Sequence, residues 1–232
     1  MSKITVLCVK FGTAYSTDYV VRLRNMVARH LTIPYEFVCL TDDATPIEGV
    51  RLIVQPSADY KRGWWYKVHM FDSELAVENT ILYFDLDVVI TGNIDKLVSK
   101  NGQFYGIRDF NRKFNKEYKC LNSSVMTWLH GDHRIIWDQF IKLPSEAMRT
   151  HGDQDWIWRI AKSKITFWPD TWVQSYKWEI RSRDELVITN GKRNFASTID
   201  VPPISDDCCV LVFHGEPKPH EVQDQFIIDN WI

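Results

Sequence analysis

Two aspartates, Asp85 and Asp87, stand inside an otherwise apolar run at positions 81–90, ILYFDLDVVI. On an extended chain, side chains at i and i+2 leave the same side of the backbone, so the two carboxylates point together. Left alone they repel. A hard divalent cation, Mn2+ or Mg2+, relieves that repulsion and bridges onward to phosphate oxygens. Such a pair therefore suits a diphosphate leaving group, on which charge builds as a bond breaks.

A second chemical segment lies at 210–219, VLVFHGEPKP. An apolar strand delivers His214, whose neutral imidazole can complete a metal site begun by two carboxylates. Gly215 permits close backbone approach to a ligand, and Lys218 carries a point charge suited to phosphate. Blander readings stand beside these. An Asp-x-Asp also occurs in solvated turns and Lys218 reads as an exposed turn lysine; His214 alone reads as a core histidine, and it is the company of Gly215, Lys218 and the two aspartates that turns it into a ligand. Haloacid-dehalogenase-type phosphatases carry Asp-x-Asp after an apolar strand too, but on the first strand of the domain. Here three strand-like runs come first.

Alternating elements must position these groups. Residues 4–9 (ITVLCV), 36–40 (EFVCL), 50–54 (VRLIV) and 80–84 (TILYF) read as strands. Thr17 can cap a helix from Asp18, along which Val20, Val21, Leu23, Val27 and Leu31 recur at helical spacing until Pro34. Residues 64–75 carry a second helical pattern. Strands separated by helices predict a mostly parallel sheet with helices on both faces, and ligands bind at the carboxyl ends of its strands. The second half is less regular. Strands are expected at 104–107, 124–127, 165–168 and 210–213, and helices at 133–143 and 156–161. Residues 181–207 read as a long loop or small hairpin.

With 232 residues, 45% of them hydrophobic, the chain can bury the core of one large domain. We read residues 1–232 as a single domain, 1–100 serving nucleotide binding and 101–232 the acceptor side. The formal net charge of -2 gives no basic excess of the kind that marks nucleic-acid or anionic-membrane partners. No run reaches the roughly 18 apolar residues of a spanning helix. The five cysteines are odd in number and form no Cys-x-x-Cys, which argues against disulfides and zinc and fits a reducing cytoplasm.

Five segments, in order, resemble the family 8 glycosyltransferases, the glycogenin-like and bacterial galactosyltransferase-like enzymes of the GT-A fold. They are WWYKVHMF with Lys67, FDLDVVITGNIDKL from residue 84, LNSSVM from 121, GDQDWIW from 152 and FHGEPKP from 213. The resemblance implies an α/β GT-A-like domain with a Rossmann-like sheet and a smaller acceptor side. It implies that Asp85, Asp87 and His214 hold a metal, and that Lys218 and Gly215 contact the diphosphate. Asn122, Asp153 and Gln154 would face the transferred sugar, with Lys67 in the donor site and Tyr15 stacking on the base. Asp153 or Gln154 would stabilise the reacting centre, and Lys218 the leaving group. Ser124 departs from the family pattern, which has glycine there, and narrows the sugar pocket.

The leading expectation is thus a Mn2+- or Mg2+-dependent, retaining transfer of a sugar from a nucleotide sugar, UDP-sugar by the resemblance. The acceptor stays open among glycan, protein and a modified base in phage DNA, and the oligomeric state is not legible. The acidic final stretch, HEVQDQFIIDNWI, speaks against a membrane-surface acceptor. A phosphatase using Asp85 and Asp87, and a non-catalytic sugar-nucleotide-binding module, are the alternatives. Of the ten tryptophans, Trp64, Trp65, Trp156 and Trp158 are candidate sugar platforms, with core packing as the other reading.

Overall fold

The computed structural model describes residues 4–56, 60, 63–99, 101–181, 186–189, 192–195 and 204–232. In chain order the elements begin with β1 (Ile4–Lys10), α1 (Thr17–His30), β2 (Tyr35–Thr41), β3 (Arg51–Val54) and a 3₁₀ helix (Gly63–Phe71). β4 (Thr80–Phe84), β5 (Val88–Ile90), β6 (Phe104–Arg108), β7 (Leu121–Leu129), α2 (Ile135–Lys142), α3 (Pro144–Ala147) and α4 (Asp153–Ala161) follow. The chain continues through β8 (Ile165–Phe167), β9 (Val173–Ser175), a π-helical turn (Tyr176–Ile180), β10 (Leu186–Thr189), β11 (Lys192–Phe195), β12 (Val210–Val212) and α5 (Gln225–Asn230).

Seven strands form the central sheet in the order β3-β2-β1-β4-β7-β6-β8. β3, β2, β1 and β4 are mutually parallel, and only β7 runs against its neighbours. The near-continuous apolar runs of β1 and β4 follow from burial on both faces. On one face α1 lays down Tyr19, Val20, Leu23, Met26 and Val27, the stripe expected from its periodicity. Each such side chain contributes about 1.5–3 kcal/mol on burial. The other face packs the 3₁₀ helix, α2 and α4 around Trp65, Trp128, Phe140 and Trp156.

Three features depart from the sequence-based expectation. The segment expected as an α-helix at 64–75 is the 3₁₀ helix, whose residues from Trp65 to Phe71 are all buried, so no single apolar stripe selects the 3.6-residue period. β7 is antiparallel to β4 and longer than expected. A second sheet, β5-β12-β9, sets β12 antiparallel to β5 with Val212 opposite Val88. Within 181–207, β10 and β11 pair as a hairpin, in line with one of the two readings of that stretch. The rest of it up to residue 203, apart from Arg181, lies outside the described residues. All five cysteines are free thiols, and no described helix is long and apolar enough to cross a membrane.

Candidate active site

Strand order reverses between β1 and β4: the chain moves outward from β1 to β3 and returns to lay β4 on the opposite side of β1. That switch point is where open α/β sheets bind ligands. A cavity of about 650 Å³ opens there, at the carboxyl ends of both strands. Tyr15, Lys67, Asp85, Asp87, Asn122, Asp153, Gln154, His214 and Gly215 line it, and Lys218 reaches in to Asp87. Every site residue expected from the sequence is therefore gathered at one place.

The pairing of β5 with β12 explains how residues so far apart meet. β5 begins directly after Asp87, and Phe213 N donates to Asp87 O at 3.2 Å, so His214 enters the cavity beside the aspartate turn. Gly215 follows at φ +71°, a conformation that strains any other residue, and the Lys177 ammonium lies close enough, 2.8 Å from where a Cβ would stand, that it would have to shift for a side chain. Lys177, absent from the sequence-based candidates, thereby joins Lys218 beside the turn.

At the inner end of the cavity the Lys67 ammonium sits 2.9 Å from Asp85 Oδ1 and 3.0 Å from Asp153 Oδ2. It also donates to Ser123 Oγ at 2.9 Å, and the Ser123 hydroxyl donates to Asp153 Oδ2 at 2.6 Å. Tyr83 donates to Asp85 Oδ1 at 2.7 Å. Burial alone would lower the Lys67 pKa, but the charges of Asp153 and Asp85 more than offset it and hold it above the ordinary lysine range. At the outer end, Tyr15 donates to Asp87 Oδ2 at 2.8 Å and the Lys218 ammonium bonds the same oxygen. Burial raises the Asp87 carboxyl above its usual range, opposed by Lys218 and reinforced by Asp85.

His214 Nε2 lies 2.7 Å from Ser175 Oγ, with its ring stacked on Phe110 at 5.1 Å and edge-on to Trp178 at 4.5 Å. Burial, with Lys177 and Lys218 nearby, pushes its pKa down to about 3, so the imidazole is neutral. Two carboxylates and a neutral imidazole are a donor set that suits Mn2+ better than Mg2+, because Mg2+ prefers oxygen ligands to a nitrogen. Among the described residues, no three His, Cys, Asp or Glu side chains cluster closely enough to hold a metal as they stand. Asp87 instead faces the Lys218 ammonium.

Gln154 donates to Asp109 Oδ2 at 3.3 Å, which ties the start of α4 to the end of β6. The tryptophans divide. Trp65 and Trp156 are core residues, with the Trp156 indole bonded to Ile136 O. Trp158 packs on Phe167 outside the cavity. Trp64 lines the cavity with an exposed ring, and of the four it alone keeps the platform reading. Tyr83, Ser123, Ser175 and Lys177 escaped the sequence because nothing in a lone hydroxyl or lysine marks its contact.

No protein-family profile and no curated protein matches the sequence. Solved structures do. The glycosyltransferase GlyE of Streptococcus pneumoniae TIGR4 superposes with a TM-score of 0.67 at 15% identity, covering 99% of this chain and 60% of its own. LgtC, a galactosyltransferase solved with donor and acceptor sugar analogues, gives 0.62 at 13% identity, over 98% of this chain and 91% of its own. The bifunctional glycosyltransferase WbbM gives 0.62 at 14% identity, over 99% and 49%. The chain thus spans about 60% of the length of GlyE and about half that of WbbM. It has the GT-A fold of these glycosyltransferases, as the family 8 resemblance implied.

Proposed function

We propose that this protein is a glycosyltransferase that moves a sugar from a nucleotide-sugar donor, a UDP-sugar in the first instance, to an acceptor among glycans, proteins and modified DNA bases. The observation that carries this reading is the convergence of Asp85, Asp87, His214, Gly215 and Lys218 with Asn122, Asp153 and Gln154 on one cavity at the switch point of a glycosyltransferase fold. The phosphatase alternative places its aspartates after the first strand, whereas here they follow β4, beside β1.

Asp85, Asp87 and His214 would hold Mn2+ or Mg2+, which when bound supplies positive charge for the diphosphate. The chain's own groups divide the remaining work. Lys218, on a turn with Gly215 at its start, is placed to leave Asp87 for the diphosphate and stabilise the charge that develops there. Lys177 adds a second ammonium behind that turn. Asp153, held by Lys67 and Ser123, and Asn122 fix the sugar. Gln154, oriented by Asp109, stands at the same wall. Transfer with retention of configuration follows the family 8 resemblance.

The test is incubation with Mn2+ and a panel of nucleotide sugars, reading free nucleotide and free phosphate. Nucleotide release that Asp87→Ala abolishes, with an unchanged circular dichroism spectrum, is the expected result. Phosphate release from small phosphoesters would favour the phosphatase, and binding without turnover the non-catalytic module.

A further inference from the structure

Three consecutive residues of β7, Asn122, Ser123 and Ser124, all line the cavity. Regular strand alternation forbids that. A register shift permits it: against β6, Gly106 pairs with Met126 but Ile107 pairs with Asn122, so β7 bulges over 123–125. Bulges of this kind re-aim side chains next to binding sites. At the shift, Gly106 leaves room for the Leu121 side chain, since a Cβ there would stand 2.5 Å from Leu121 Cδ1.

The bulge sorts the polar atoms of the wall into used and unused. Ser123 is spent on Asp153 and Lys67. Lys67 is spent on Asp85, Asp153 and Ser123, and its side chain is only 10% exposed. The Ser124 backbone bonds Asn122 Oδ1 and Asp85 N, but its hydroxyl has no partner among the described residues, although the residue is only 6% exposed. Asp153 Oδ1 and the Asn122 amide nitrogen are likewise unused. His151 at the rim leans toward Asp155 at 3.4 Å. Asp85, Asp153 and Ser123 thus take up all three N–H groups of the one lysine at this wall, Lys67, so its ammonium is not left to receive an anionic substituent.

We propose that the donor carries a neutral sugar, that uronic acids are rejected, and that the Ser124 hydroxyl makes a direct contact to a sugar hydroxyl and so tunes which sugar fits. The assignment rests on the glycosyltransferase reading. A neutral sugar can donate hydroxyls to Asp153 Oδ1 and accept from Asn122. A uronate carboxylate at the same wall meets Asp153 and finds every N–H of Lys67 occupied. The Ser124 hydroxyl faces the cavity with no protein partner among the described residues, so a sugar hydroxyl can pair with it without breaking a bond within the protein.

Calorimetry on the full chain with Mn2+ tests this, using UDP and GDP alone, then the nucleotide that binds carrying glucose, galactose, xylose, glucuronic acid or galacturonic acid. We expect at least one neutral donor to bind tenfold or more tighter than either uronate donor. Ser124→Ala should weaken that neutral donor by about two- to tenfold and leave the bare nucleotide unchanged. Ser124→Gly should do the same. A uronate binding as tightly as the best neutral sugar would overturn the proposal, as would unaltered donor affinity in both Ser124 variants. If neither nucleoside diphosphate binds, the glycosyltransferase reading itself falls and takes this assignment with it.

Discussion

The two lysine–aspartate clusters at opposite ends of the cavity differ in how firmly they are held. Lys67 comes from the 3₁₀ helix, bonds two carboxylates and a hydroxyl, and is nearly buried, with a side chain 10% exposed. Lys218 comes from a C-terminal turn, bonds one carboxylate, and is 23% exposed. A buried ammonium with two carboxylate partners cannot leave without stranding charge. One with a single partner at a cavity rim can exchange that partner for a phosphate. The first lysine is therefore part of the wall, and the second belongs to the chemistry.

The sharpest way to break this contrast is Lys67→Met. It leaves Asp85 and Asp153 facing each other with no cation, and removal of one partner from a buried pair costs about 3–5 kcal/mol. A large drop in the urea midpoint is expected, and an unchanged midpoint would show that the inner cluster is not a structural pair. Lys218→Ala should do the reverse. Turnover should fall by roughly 10²–10³, the worth of a leaving-group stabiliser, while the urea midpoint stays near wild type. Unchanged kinetics would mean that the C-terminal turn does not act on the donor.

Acid should loosen the inner end through His69, which rides on the same helix as Lys67. Its ring bonds Tyr60 at 2.7 Å and Gln55 at 2.6 Å, and burial pushes its pKa from 6.5 down to about 4. The unfolded chain takes up a proton as pH falls below about 6.5, and the native state does not until about pH 4. The stability contributed by neutral His69 is thus present above pH 6.5 and lost progressively toward pH 4. Urea midpoints measured across that window should fall, and His69→Gln should flatten the slope. The smallest effect is expected from Tyr15→Phe, which removes one hydrogen bond to Asp87. About 0.5–1.5 kcal/mol in donor affinity, with little change in melting temperature, would place Tyr15 with the outer cluster. A melting temperature lowered as far as in Lys67→Met would place it with the wall instead.

Short-range pattern made much of this molecule legible in the sequence. The apolar run ahead of Asp85 could be satisfied only as a buried strand, but the extended i, i+2 geometry expected beyond it gives way to a turn at Leu86 and Asp87, which sends Asp85 to Lys67 and Asp87 to Lys218. The 3.6-residue spacing after Thr17 gave α1 and its buried face. His214 and Lys218 stood out by residue type after an apolar run. What stayed hidden depends on partners distant in the chain. Nothing local tells β12 to pair with β5, yet that pairing alone brings His214 beside Asp87 across more than a hundred residues. The bulge in β7 arises from a mismatch with β6 that neither strand shows by itself. Trp156, chosen for its neighbours in sequence, turned inward because its face of α4 packs on the sheet. The sequence by itself determined which groups could do chemistry and which strands would carry them, because both follow from residue type and period. Only the tertiary structure decided which carboxylate each lysine neutralises and which hydroxyl is left free, because those depend on register between strands, and register is set by packing across the whole sheet.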